Sequence, residues 1–236
     1  MKPVLILQHM SADSPAYLAT WLRSRGLRFD VRDSQGGDAV PEDLDGFSAL
    51  ALLGGEMNAN DDLPALRQAE VLVRQGVERG VPVLGHCLGG QLMARALGAR
   101  VVDSPAPEVG WHAIDIEPGD DARAWFGELD TALVFQWHYD SFELPDGAIL
   151  LAGSAACPHQ AFAIGPHLAL QFHVELDAAK LASWATEADA RYLCAAAQWP
   201  SVQGRDTMIE HAVLRLHAQQ QLADRLYTRW LAGAAS

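Results

Sequence analysis

The chain has 236 residues, half of them hydrophobic and a fifth charged, with a formal net charge of -13. That length holds one large α/β domain with a sizeable core and room for a helical appendage, and the composition is that of a soluble globular protein. The acidic balance disfavours nucleic-acid backbones and anionic membranes as partners, and no apolar run is long enough to span a bilayer or to form a signal-peptide core.

Val4 to Gln8 has the length of a buried strand, and Ser14-Pro15 resembles a helix start, with Leu18, Trp21 and Leu22 at helical spacing before Gly26. Leu27 to Val31 and Phe47 to Leu53 read as further strands, the latter ending at Gly54-Gly55. Asp61-Asp62 reads as the cap of a helix from Leu63 to Arg79, whose stripe is Leu66, Ala69, Val73 and Val77. Val81 to Leu84 is a short strand, and a helix is expected from Gln91 to Leu97. This alternation indicates crossover units and a mostly parallel sheet.

The character then changes. Residues 101–102, 113–116, 132–137, 148–152, 161–164 and 168–172 are short strand candidates separated by turn residues. They suit antiparallel or mixed strands that extend the first sheet or cover it. Asp177 can cap a helix running to Trp199, where Pro200 breaks it, and a last helix is expected from Arg205 to Leu231. The simplest organisation is a domain over residues 1–185 and a C-terminal helical extension over residues 186–236 packed on it.

The three cysteines, Cys87, Cys157 and Cys194, are widely and irregularly spaced, unlike a disulfide framework. A reducing, cytoplasmic setting is expected, where a thiol stays available for chemistry. The informative one is Cys87, in Gly85-His86-Cys87-Leu88-Gly89 between a strand and a helix. This is the form of a nucleophile elbow with Cys in place of Ser. The glycines relieve the crowding of a strained turn. The helix N-terminus favours the thiolate, and the backbone N–H of Leu88 can face an oxyanion. A cysteine after an apolar strand is more often a small buried hydrophobe, and it is the glycines that make the reactive reading better here. His86 beside it is expected to point away from the thiol and to pack.

Gln171-Phe172-His173-Val174-Glu175 supplies the second element. In extended structure His173 and Glu175 emerge on one side. His173 can then accept the thiol proton while Glu175 fixes its tautomer. Gly54-Gly55, at the C-terminal end of a parallel strand, lies on the edge where open α/β sheets bind ligands and can supply a second oxyanion donor. Neither element is specific alone.

Together, and in this order, the three elements resemble the class I (triad-type) glutamine amidotransferases, whose pattern is a Gly-Gly oxyanion strand, a G-x-C-x-G-x-Q elbow and a late Q-F-H-x-E. The resemblance covers roughly residues 1–185 and implies the flavodoxin-like α/β fold of that family: an open, mostly parallel sheet flanked by helices. It implies a glutaminase half-reaction through a γ-glutamyl thioester on Cys87, with His173 as base and acid and Glu175 orienting it. Gly55 and Leu88 would face the oxyanion beside Gly54, and Gln91, Tyr139 and Asp140 would line the glutamine pocket.

Val174 stands where the family often has Pro, and Glu56 where Pro often follows Gly-Gly. A full GMP synthase would add an ATP-pyrophosphatase domain with an S-G-G-x-D-S loop. No such segment follows Glu175, so the chain resembles stand-alone, GMP-synthase-like members. Its expected substrate is glutamine or another γ-glutamyl compound, and a separate synthetase subunit could accept the ammonia. The alternatives are a stand-alone γ-glutamyl peptidase or hydrolase, and a non-catalytic protein with a Cys elbow. No cofactor is implied by the hydrolytic step. The histidines show no metal-ligand spacing with cysteines or carboxylates, so no metal is expected.

Overall fold

The structure, a computed structural model, describes residues 2–186 and 190–234. In chain order the elements are β1 Val4–Gln8, α1 Ala16–Ser24, β2 Phe29–Asp33, β3 Ala49–Leu52, α2 Pro64–Arg79, β4 Val83–His86, α3 Leu88–Ala96, β5 Val101–Ile116, α4 Asp120–Phe126, β6 Thr131–Phe142, β7 Ile149–Gly153, β8 Ala161–Ile164, β9 His167–Leu170, α5 Ala178–Thr186, α6 Ala190–Gln198 and α7 Arg205–Ala232.

The strands form one open sheet of order β2-β1-β3-β4-β9-β8-β7-β5-β6. From β2 to β9 every pair is parallel, and from β9 to β6 every pair is antiparallel. The turn-separated strands of the second half therefore extend the parallel sheet rather than cover it. β4 and β9 lie side by side at the centre of the order, although about eighty residues of chain separate them.

Strand alternation divides the core. Val4, Ile6, Ala49 and Ala51 face α1, α4 and the C-terminal half of α7, meeting Leu18, Trp21, Trp125, Phe126, Leu226, Tyr227 and Trp230. Leu5, Leu7, Leu50 and Leu52 face α2 and α3, meeting Leu66, Val73, Leu92 and Met93. A third cluster joins Trp111 and Phe135 of the antiparallel half to Leu181, Tyr192 and Met208.

Several expectations change. The candidates at residues 101–102 and 113–116 are the two ends of β5, whose pairing with β6 slips between Asp103 and Glu108. Pro105 and Pro107 sit in that slip and have no N–H to offer the ladder, which breaks the strand pattern without ending the strand. α1 begins after Pro15 with no side-chain cap from Ser14. Leu63 rather than Asp62 occupies the cap position of α2, and Asp61 instead accepts a 3.0 Å bond from the Asn58 N–H. α3 starts at Leu88, so Gly89 and Gly90 are helical. The expected helix from Asp177 to Trp199 is represented by α5 and α6, and residues 187–189 between them lie outside the described residues. Asp177 does cap α5, accepting the Lys180 N–H at 2.8 Å.

Candidate active site

Cys87 occupies the turn between β4 and α3 with φ 48° and ψ -109°, a conformation that non-glycine residues seldom adopt. The strain is held by close packing. A Cβ on Gly85 would sit 2.5 Å from the Gly89 carbonyl, and one on Gly89 would collide with the Leu52 carbonyl of β3. The Cys87 N–H donates to the Leu170 carbonyl of β9 at 2.9 Å, which locks the turn to the neighbouring strand.

β9 ends at Leu170, so Gln171 to Glu175 is an irregular, fully buried segment rather than the strand end expected. It is pinned from outside, by the His173 N–H to the Phe135 carbonyl and by the Tyr17 N–H to the Glu175 carbonyl, both at 2.9 Å. The segment still brings His173 Nδ1 to 2.7 Å from Glu175 Oε1. The Cys87 thiol donates to the Trp137 carbonyl at 3.6 Å and accepts from Gln171 Nε2 at 3.7 Å. Gly54 lies behind the imidazole, where a Cβ would come within 2.9 Å of His173 Cε1. The Gly-Gly dipeptide therefore has a steric role as well as any electrostatic one.

The electrostatics are those of a buried ion cluster. Burial alone would push the His173 imidazole down, but the Glu175 carboxylate and Cys87 outweigh it and hold the ring at about 10. Burial would likewise raise the Glu175 carboxyl, but the Lys180 ammonium and the His173 imidazolium hold it well below the usual carboxylate range. Lys180 Nζ lies 3.1 Å from Glu175 Oε1 and 2.5 Å from Asp13 Oδ1.

A cavity of about 310 Å³ opens in front of these groups, lined by Cys87, His173, Gly55, Gln91, Tyr139 and Asp140 among the expected residues. Gly54, Leu88 and Glu175 are not on its wall; Glu175 is wholly buried behind His173. Gln91 Nε2 donates to the Asp140 carbonyl at 3.0 Å and approaches Gln171 Oε1 at 3.4 Å, so its amide braces the pocket floor. Asp140 accepts from Asn58 Nδ2 at 3.1 Å, and the Arg191 guanidinium stands 3.7 Å from its other oxygen and 3.9 Å over the Tyr139 ring.

The sequence pattern of the family "Glutamine amidotransferase class-I" matches residues 16–182. The chain belongs to the class I glutamine amidotransferases. Among related proteins, it is 31% identical to a glutamine amidotransferase-like protein of Salmonella typhimurium over 71% of this chain and 73% of that protein. It is 33% identical to a glutamine-hydrolyzing GMP synthase subunit of Thermoplasma acidophilum over 59% and 69% of the two chains. It is 28% identical to gamma-glutamyl peptidase 3 of Arabidopsis thaliana over 62% and 61%. A crystal structure of a glutamine amidotransferase from Methylobacillus flagellatus superposes with TM-score 0.92 at 33% identity, covering 100% of this chain and 96% of that one.

Several residues at the site lie beyond what the sequence motifs mark. His86 does more than pack: its Nε2 lies 3.8 Å from Glu175 Oε2 and 3.3 Å from the Tyr227 hydroxyl of α7. Trp184 sets its edge against the His173 ring, with centroids 4.8 Å apart. Asp13, Lys180, Trp184 and Arg191 carry no motif; a polar loop after β1, at the carboxyl edge of the sheet, is the one signal that could have pointed to Asp13.

Sequence spacing also hides a cluster of possible metal ligands, Glu108, His138 and Cys157, whose donor atoms lie within 4.8 Å of one another. Hydrogen bonds already occupy Glu108, from Gln160 Nε2 at 2.7 Å and from Ser154, with His138 Nε2 at 3.2 Å. Among the described residues no helix is long and apolar enough to cross a membrane.

Proposed function

We propose that the protein hydrolyses the side-chain amide of glutamine through a γ-glutamyl thioester on Cys87, with His173 and Glu175 completing a Cys-His-Glu triad. The observation that carries this reading is the 2.7 Å contact between His173 Nδ1 and Glu175 Oε1 beside the strained Cys87 turn that opens on the cavity. The Cys87 sulfur attacks the amide carbon, and the C–N bond breaks as the His173 imidazolium gives its proton to the leaving ammonia. The neutral imidazole then takes a proton from water, which attacks the thioester and releases glutamate and the thiolate. The backbone N–H groups of Gly55 and Leu88 stabilise the oxyanion beside Gly54, and Gln91, Tyr139 and Asp140 frame the glutamyl group. In this reading ammonia passes to an acceptor on a separate synthetase subunit, which the likeness to a glutamine-hydrolyzing GMP synthase subunit supports.

A second reading, a self-sufficient γ-glutamyl peptidase or hydrolase, is favoured by Met10, Met57, Trp137 and Trp184 on the cavity wall, an apolar surface that ammonia does not need. A panel of γ-glutamyl amides and peptides assayed with wild type and Cys87→Ala separates the two. Turnover of glutamine alone supports the first, and broad turnover lost in Cys87→Ala supports the second. Activity that survives the substitution removes Cys87 as nucleophile. Failure of a glutamine-like chloroketone to label Cys87 would count against both.

A further inference from the structure

We propose that Lys180, clamped by Asp13, is a positioning residue that keeps Glu175 charged and aimed at His173. The inference rests on the roles given above to Cys87, His173 and Glu175. Lys180 stands in the first turn of α5 and is 4% exposed. An ammonium has three donors: Lys180 Nζ donates to Glu175 Oε1 and to the Ser14 carbonyl, both at 3.1 Å, and forms an ion pair with Asp13 Oδ1 at 2.5 Å. The Glu175 oxygen it touches is the one that also accepts from His173 Nδ1. Lys180 therefore braces the working oxygen, while the other faces His86 and has no hydrogen-bond partner among the described residues.

Charge counting gives the arrangement a purpose. Asp13 and Glu175 are acids, Lys180 is one base, and the buried trio is left one negative charge in excess. The group placed to neutralise it is His173, as its imidazolium. Without Lys180, two buried carboxylates would share that single imidazolium. Burying an uncompensated carboxylate costs several kcal/mol, roughly, and such a group takes up a proton instead. A protonated Glu175 no longer stabilises the imidazolium, and the imidazolium no longer stabilises a thiolate at Cys87. The remaining titratable groups facing Glu175 are His86 of β4, whose burial pushes it down, and Tyr227 of α7, beyond which lie Tyr17 and Asp224. Neither supplies a replacement cation. The Lys180 ammonium also lies 5.0 Å from the Trp184 ring that abuts His173, so one helix buttresses both members of the pair.

The test is the pH dependence of Cys87 alkylation by iodoacetamide, read at the Cys87 peptide by mass spectrometry so that Cys157 and Cys194 do not contribute. It requires no substrate. A wild type that alkylates readily at Cys87 yet turns over no γ-glutamyl compound would refute the proposed function and leave this inference standing. In Lys180→Met, which keeps an apolar stem against Trp184, the midpoint should rise by about one pH unit or more, equivalent to a loss of about ten-fold in reactivity below it. An unchanged or lowered midpoint in folded Lys180→Met overturns the proposal. Should that variant not fold, Lys180→Gln, which keeps a donor toward Glu175 but carries no charge, must show the same rise. If that variant also fails to fold, Lys180 is a structural strut and the proposal falls.

Discussion

His173 Nδ1 and Glu175 Oε1 meet at 2.7 Å within a segment that has no regular secondary structure. Their alignment is imposed by neighbours: the Phe135 carbonyl, the Tyr17 N–H, the Trp184 ring and the Lys180 ammonium each fix one side.

This contact governs the pH dependence of the proposed reaction. A histidine held at about 10 is protonated below that pH and loses its proton as pH rises through it. The wild-type kcat/KM profile should therefore fall at its alkaline end near that value, as the acid that serves the leaving group is lost. Glu175→Gln removes a cause of the raised value, so the alkaline fall should move toward neutrality and the maximal rate should drop roughly 10²–10⁴-fold. An alkaline limb that stays in place would show that another group titrates there.

The Cys87 turn should tolerate no added methyl group at Gly85. The clash there is with the Gly89–Gly90 backbone, which cannot rotate away as a side chain tip would. Gly85→Ala should lower stability by about 2–3 kcal/mol or more, an overpacking cost, measured by urea unfolding. A loss below about 0.5 kcal/mol would mean that the elbow relaxes more freely than its packing implies.

Arg191 should affect binding more than turnover. Its side chain is exposed, lines the cavity, pairs with Asp140 and covers Tyr139. Arg191→Ala should raise KM roughly 3–10-fold with kcat nearly unchanged. A matching fall in kcat would place the guanidinium in the transition state.

The Tyr227 hydroxyl supports His86 from α7 at 3.3 Å. Tyr227→Phe leaves the ring contacts with Trp21 and Trp230 in place and removes only that bond. Thermal or urea unfolding should show a loss of about 1 kcal/mol, against about 3–5 kcal/mol for Tyr227→Ala, which also opens a cavity.

What can be read from the sequence follows the range of the interactions. The elbow is legible because its chemistry and its steric relief lie within five consecutive residues, Gly85 to Gly89. The parallel half is legible because its strands and helices from β1 to α3 largely alternate along the chain, the mark of crossover units. Lys180 and Asp13 are opaque because their meaning arises only when α5 docks beside the loop after β1, and nothing in either segment marks the other. The role of His86 is hidden for a related reason. The sequence shows that it points away from the thiol, but not that a carboxylate and a phenol wait on that side. β5 reads as separate pieces because prolines interrupt a pattern that the sheet tolerates as a slip in register.

The place of β9 carries a consequence for biosynthesis. It fills the slot between β4 and β8, yet it is made after both. A chain emerging from the ribosome thus holds Cys87 beside an unpaired sheet edge until residues 167–170 arrive, and the partners of Glu175 on α5 and α7 come later still. Open strand edges invite pairing with other chains. The newborn protein is therefore at its most aggregation-prone, and its thiol furthest from its final chemical surroundings, over the stretch of translation between β4 and the last helix.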